Sequence, residues 1–214
     1  MTLRTSLERL VAEYGPQHWW PANSPFEIML GAVLVQQTTW RQAARAIDAL
    51  GNAGLLNWSA LANADPSEVE ARVRPAGFYR AKAKRVIALA AFVAEVGGVA
   101  ALNRLPTREL RGLLLAREGV GEETADAMLL YAFERPVCVI DAYLRRWYLR
   151  RHGIDRIDDR TLRAGVVKAL PSVAQLNEFH ALIVEHGKRR CKTRPLCDGC
   201  CLFSECSHGQ ASVA

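Results

Sequence analysis

Five of the six cysteines in this 214-residue chain fall between positions 191 and 206. Cys191, Cys197, Cys200 and Cys206 read C-x5-C-x2-C-x5-C, which leaves Cys201 as a surplus member and Cys138 standing alone. Four thiolates packed so tightly in a stretch without helical or strand periodicity can wrap one compact metal centre. A tetrahedral zinc satisfies four cysteines, and so does a [4Fe–4S] cluster; spacing alone does not choose between them. In a reducing compartment such clustering argues for metal rather than disulfides. Lys188, Arg189, Arg190, Lys192 and Arg194 stand beside the first cysteine. They are either a solvated face or a set of phosphate contacts, each of which would steepen the salt dependence of binding.

A second group of residues lies between Leu113 and Arg151, where two apolar, helix-like segments flank Glu118-Gly119-Val120-Gly121. Glycines at 119 and 121 suit a turn that needs positive φ or close approach to a ligand. Glu122-Glu123-Thr124-Ala125 then opens a helix whose first-turn acids suit the positive end of its dipole. Free N–H groups at such a start can hold a phosphate, although a lone Gly-x-Gly is more often an ordinary helix–helix turn. Asp141 heads an arginine-rich segment carrying Arg145, Arg146, Arg150 and Arg151, and it suits the N-cap of a helix beginning at Ala142. A third group is aromatic: Trp19-Trp20-Pro21 in a loop, and Trp40 after Gln36-Gln37-Thr38-Thr39. Each tryptophan by itself reads equally as core packing.

The elements that must position these residues are helical. Leu3, Leu7, Leu10 and Val11 recur at helical spacing over 3–14. Ser24-Pro25-Phe26-Glu27 forms a capping box with proline at the first helical position, and the almost wholly apolar body Ile28–Val35 belongs in the core. A helix from Trp40 to about Leu50 is expected to stop at Gly51. Asp65-Pro66-Ser67-Glu68 opens a short helix to about Val73, Pro75–Tyr79 turns, and a long helix runs from about Arg80 to Val96, ended by Gly97-Gly98. Pro106-Thr107 starts the helix leading into the hairpin, and two more are expected over Asp159–Leu170 and Val173–Gly187. No stretch alternates with period two and no internal repeat is present, so the fold class is all-α. Two lobes are expected, 22–134 and 1–21 plus 135–214, with the hairpin and Asp141 at a cleft between them, a usual place for a ligand site.

Composition narrows the partners. A net charge of +6 and a pI near 9.2 favour a polyanion. No run approaches the ~20 apolar residues that span a bilayer. The opening MTLRTSLERL lacks the apolar core of a signal peptide, so a cytosolic protein that meets no membrane is expected.

Gly119-Val120-Gly121 before Thr124-Ala125, with Asp141 downstream, resembles the helix-hairpin-helix and trailing aspartate of the endonuclease III superfamily of DNA glycosylases. The cysteine group just after Glu185-His186-Gly187-Lys188 is similar to the iron–sulfur loop of endonuclease III relatives, although its first gap is one residue shorter than in endonuclease III. The resemblance runs from about residue 19 to 206. It implies a two-lobed helix-hairpin-helix fold, a [4Fe–4S] cluster on Cys191, Cys197, Cys200 and Cys206 with Cys201 unligated, and a monomer acting on double-stranded DNA that carries a damaged base. It further implies phosphate contacts from Gly119, Val120, Gly121, Lys188, Arg189, Arg190 and Lys192.

The resemblance also assigns chemistry. Asp141 falls at the superfamily's catalytic aspartate. Base excision passes through an oxocarbenium-like sugar, which a fixed carboxylate stabilises electrostatically; it can also orient water. Relatives that cut the strand carry lysine in Gly-Val-Gly-x-Lys-Thr-Ala, and here Glu123 fills that catalytic slot. A carboxylate cannot form the Schiff base, so a monofunctional glycosylase is expected. Trp19-Trp20-Pro21, the 35–40 segment with Trp40, and Glu123 resemble the type III 3-methyladenine branch, whose aromatics sandwich a flipped alkylated base. Such bases are often cationic, which adds a cation–π term to stacking. Gln37 and Phe78 match positions that push into the base stack, unless Phe78 is simply buried. A pyrimidine or mismatch glycosylase of endonuclease III type, and a damage-binding protein with little catalysis, are the rival readings.

Overall fold

The computed structural model describes residues 2–211. Among these are thirteen α-helices and no strand, in agreement with the all-α expectation. Main-chain contacts divide the chain into two compact units. The first is Ala22–Arg135; the second joins the residues through Pro21 to those from Pro136 onward. No helix among the described residues is long and apolar enough to cross a membrane.

In the first unit, α2 (Pro25–Leu34) starts where Ser24 Oγ accepts the Glu27 N–H. The Glu27 carboxylate reaches Asn23 N rather than Ser24 N, so only one half of the expected capping box forms. Phe26 and Met29 through Leu34 are buried, which makes α2 the apolar axis of this unit. α3 (Trp40–Asn52) buries Ala43, Ala46, Ile47 and Leu50 at helical spacing. It passes straight through Gly51, contrary to the expected stop. A Cβ at Gly51 would lie 3.0 Å from Leu56 Cδ1. The glycine is there to let Leu56 approach, not to end the helix.

α4 (Trp58–Ala62) and α5 (Pro66–Val73) are capped by Asn57 and Asp65, and both pack on α6 (Tyr79–Glu95). After α7 (Val99–Asn103), α8 (Thr107–Leu115) leads into the hairpin and α9 (Glu122–Ala127) leaves it. α9 continues as a buried π-helical turn, Met128–Ala132, that packs against α2. α4 and α7 span five residues each, too short to print a period on the sequence.

The second unit contains α1 (Leu3–Tyr14), α10 (Ala142–His152), α11 (Asp159–Ala169), α12 (Val173–Arg189) and α13 (Ser207–Ala211). α12 begins with a complete capping box, Ser172 with Gln175, and runs past Gly187 to Arg189. A Cβ at Gly187 would collide with the Tyr143 ring, so this glycine also serves packing within a helix. α1 and α10 both pack on α12. The chain ends are tied together by one buried acid. Glu205 Oε2 accepts from Ser6 Oγ at 3.1 Å and from Arg151 Nη2 at 2.9 Å. The Arg151 and Glu205 side chains are 5% and 2% exposed. Breaking a buried ion pair from one side strands the other charge. Arg151→Met is therefore expected to lower stability by about 3–5 kcal/mol, read from urea unfolding. A loss below about 1 kcal/mol would mean that the pair behaves like an exposed one.

Candidate nucleic-acid interface and metal centre

In the first unit, the hairpin is held by its backbone. Gly119 has φ 78°, and a Cβ there would collide with the Arg85 guanidinium. Of the two reasons expected for glycine here, positive φ does not apply to Gly121: it is the extended N-cap of α9 (φ −86°, ψ −179°), a conformation open to any residue. What glycine contributes at 121 is an open face, since a Cβ would meet nothing within 4 Å. Val120 is buried, while Glu122 and Glu123 are exposed in the first turn of α9.

Gln36 fastens the hairpin to the turn after α2. Its Nε2 donates to Gly119 O at 2.9 Å and to Thr124 Oγ1 at 3.0 Å, and its Oε1 accepts from Arg85 Nη1 at 3.3 Å. Nothing local in the sequence distinguishes Gln36 from the glutamine beside it. Gln37 is exposed with φ 54°, and Phe78 has φ 46° with 67% of its surface exposed. The alternative of a buried Phe78 is thereby excluded. Left-handed backbone is costly for a bulky residue and persists where the surroundings enforce it. Next to Phe78, the Tyr79 ring is covered by Arg74 at 4.9 Å and Arg80 at 5.6 Å. Trp40, the first residue of α3, is half-buried.

In the second unit, Asp141 is buried and caps α10, its Oδ1 accepting the Leu144 N–H at 2.7 Å. Its Oδ2 lies 3.7 Å from His180 Nε2 on α12. One oxygen is thus fixed by the cap and the other faces an imidazole. His180 was not singled out from sequence, where one histidine on a mostly apolar helix carries no signal. Cys138, just before Asp141, is buried and its carbonyl accepts from Arg163 at 2.8 Å. Trp19 and Trp20 are half-buried with ring centroids 5.1 Å apart, and Pro21 is exposed. Their loop is anchored to α12 where Gln17 N donates to Glu178 at 2.7 Å.

The four spaced cysteines, Cys191, Cys197, Cys200 and Cys206, line one cavity with Trp147, His186, Leu196 and Leu202; Cys201 does not line it. Two of the sulfurs accept from N–H donors and a third faces an imidazole. Arg150 Nη1 stands 3.4 Å from Cys191 Sγ, Gly209 N 3.4 Å from Cys206 Sγ, and His186 Nε2 3.9 Å from Cys200 Sγ. His186 is oriented through Nδ1 by the Tyr14 hydroxyl at 3.0 Å. A hydrogen bond from Cys201, with His186 assisting, lowers the pKa of the Cys200 thiol to about 4, and the same bond and burial push Cys201 up. Burial pushes the Cys206 thiol up. Among the described residues, no three His, Cys, Asp or Glu side chains form a site for a single metal ion. The thiols share a space without meeting at a point.

Much of the arginine in this unit is turned inward. Arg146 Nε donates to Cys191 O at 2.8 Å and Arg150 Nη2 to Thr193 O at 2.8 Å. Arg190 donates to Asp198 O at 3.1 Å, and Arg145 pairs with Asp159 at 2.6 Å. Arg189 pairs with Glu185 and lies over the Tyr14 ring, whereas Lys188, Lys192 and Arg194 are exposed.

The family model described as HhH-GPD superfamily base excision DNA repair protein matches residues 30–171. A Methanocaldococcus jannaschii protein assigned as a DNA repair glycosylase is 39% identical over 202 residues, covering 92% of each chain. Endonuclease III of Sulfolobus acidocaldarius is 30% identical over 186 residues, 86% of this chain and 82% of its own. Among solved structures, the H. pylori 3-methyladenine DNA glycosylase MagIII bound to 1,N6-ethenoadenine is 31% identical, with a TM-score of 0.77. That match covers 88% of this chain and 98% of the other. The matched family span contains Gln37, Phe78, the hairpin and Asp141, and the chain belongs to the HhH-GPD superfamily of base excision DNA repair proteins.

Proposed function

We propose that this protein is a monofunctional DNA N-glycosylase that flips a damaged base out of duplex DNA and hydrolyses its N-glycosidic bond. An alkylated purine such as 3-methyladenine is the substrate we favour. The observations that carry the reading are a buried, cap-held carboxylate at 141 and, in the hairpin helix, glutamate rather than lysine at 123. Asp141 stabilises the cationic sugar as the base departs and orients the attacking water. With Oδ1 held by the cap, the charge needs no reorganisation during reaction. An alkylated purine already carries positive charge, so it leaves without a strong general acid. Glu123 offers no amine, and the strand is not cut by the Schiff-base route.

The remaining residues take supporting roles. Trp19, Trp20, Pro21 and Trp40 hold the extruded base by stacking, where a cationic ring gains a cation–π term. Gln37 and Phe78 fill the space it leaves; their exposure on left-handed backbone supports this. The backbone of Gly119, Val120 and Gly121, with Lys188, Arg189, Arg190 and Lys192, meets phosphates. The likeness to MagIII, a 3-methyladenine DNA glycosylase, supports the alkylpurine substrate, and that to endonuclease III supports a pyrimidine lesion as the second reading.

Cys191, Cys197, Cys200 and Cys206 would hold a [4Fe–4S] cluster. Four thiols around a shared space, two of them accepting from N–H donors and a third facing an imidazole, suit a cluster larger than one ion. Its contribution is a cross-link of the 191–206 loop, which otherwise has little regular structure.

Native protein is expected to excise from alkylated-purine duplexes in single turnover, ahead of oxidised-pyrimidine and T·G duplexes in the same alkali-developed panel. Asp141→Asn should be slower by ~100-fold or more while still binding, since asparagine is also a good N-cap; parent-like activity would reduce Asp141 to a cap. Borohydride should trap no covalent adduct between the native protein and DNA, and efficient trapping would end the monofunctional reading. Purified protein should be yellow-brown with about four irons. Cys200→Ser should be colourless and Cys201→Ser coloured; a colourless Cys201→Ser would overturn the ligand set.

A further inference from the structure

Lys82 is 1% exposed, one of the largest fully buried side chains in the first unit, yet it ends in an ammonium. Its Nζ donates to Leu34 O at 2.9 Å, Gln36 O at 2.8 Å and Ala76 O at 2.7 Å. A lysine has three N–H donors and no acceptor, and here all three are used on backbone carbonyls. Among the described residues, no carboxylate forms an ion pair with it. Burial, with Arg85 nearby, lowers its pKa, as expected for a cation held only by neutral dipoles.

The identity of the three carbonyls is informative. Leu34 is the last residue of α2, where carbonyls lack intrahelical partners and the helix dipole is negative. Gln36 immediately precedes Gln37, and Ala76 lies two residues before Phe78. These are the two exposed residues on left-handed backbone described above. Oxygens bound to one nitrogen cannot lie farther apart than the sum of the two bonds, so one atom fixes the separation of both turns. No other side chain does this as compactly. Arginine spreads its donors over a planar fork, and a water has only two.

We propose that Lys82 is the positioning residue that sets the spacing of Gln37 and Phe78, so that both side chains enter the opened duplex as one rigid wedge. The proposal rests on reading these two residues as the wedge. Lys82 touches no DNA in this view; it acts through the two turns it binds.

The test separates wedge insertion from folding and from general binding. The probe is a duplex with a tetrahydrofuran abasic-site analogue and 2-aminopurine as the neighbouring base, whose emission rises when it is unstacked. The native protein is expected to raise the emission on binding, and Phe78→Ala to lose most of that rise. Lys82→Met keeps the stem and removes the donors. It should bind the probe within about threefold of native, because phosphates supply most of the affinity, while its emission rise falls about fivefold or more for want of an ordered wedge. Adding Phe78→Ala to Lys82→Met should cost nothing further. Lys82→Arg keeps a cation but cannot bring three N–H groups to one point; it should show the same emission loss, and it carries the test if the Met variant fails to fold. An undiminished emission rise in the folded variants overturns the proposal. So does a loss of emission that only parallels lost affinity and a lowered melting temperature, which marks a merely structural lysine. No rise with the native protein overturns the wedge reading, and the proposal with it. A rise that depends on Phe78 but not on Lys82 overturns the proposal alone.

Discussion

A helix buried to its last turn ends in carbonyls that water cannot reach, and such groups are costly unless something donates to them. α2 sets this problem for the first unit, because its buried run extends to Leu34. The answer comes from α6, whose Lys82 places a charged donor group at the end of α2. The same nitrogen holds Gln36 O and Ala76 O, so satisfying the interior also fixes two surface turns. From Gln36 the order passes outward, since its side chain binds Gly119 O and Thr124 Oγ1 in the hairpin. Polar satisfaction inside and the presentation of Gln37, Phe78 and Gly121 outside are thus one constraint.

The second unit is organised through one helix in a comparable way. α10 has Asp141 as its N-cap and carries Arg146 and Arg150, one turn apart, on the cysteine loop. The carboxylate and the first cysteine are therefore attached to the same rigid rod. α12 braces the carboxylate and the cysteine loop, with His180 beside Asp141 and His186 beside Cys200. An arginine-rich stretch in a basic protein invites a DNA-facing interpretation. Here much of that charge is engaged by carbonyls, a sulfur and the carboxylates of Asp159 and Glu205. Beside the cysteine loop, Lys188, Lys192 and Arg194 are exposed, while Arg189 is paired to Glu185.

Among the described residues, four exposed non-glycine residues have left-handed backbone, His18, Gln37, Phe78 and Glu134, a conformation that local sequence preferences disfavour. Gln37 and Phe78 are exposed, and beneath them Lys82 holds the carbonyls of Gln36 and Ala76. Such conflict between local preference and observed backbone is where function is to be sought. It places the interest of the first unit at its turns rather than in its core.

The sequence alone determined what depends on neighbours within a turn or two. Apolar periods and caps defined α1, α2, α5, α6 and α11 within a few residues, and Asp141 declared itself as the cap of α10, whereas which hairpin glycine is left-handed, Gly119 and not Gly121, came from the structure. The grouping of four cysteines was equally local. Tertiary structure decided what depends on partners far along the chain. Gly51 and Gly187 look like helix stops until Leu56 and Tyr143 are seen against them. α4, α7 and α13, five residues each, are too short to carry a period. Lys82 sits on a helix where a lysine reads as solvated surface, and only carbonyls 46 and 48 positions away in the chain bring it inside. Hydrogen bonds to backbone carbonyls leave no mark on the residue types that supply them, because every residue has a carbonyl. The chemistry was therefore legible as a set of residue types, while the contacts that aim them were not.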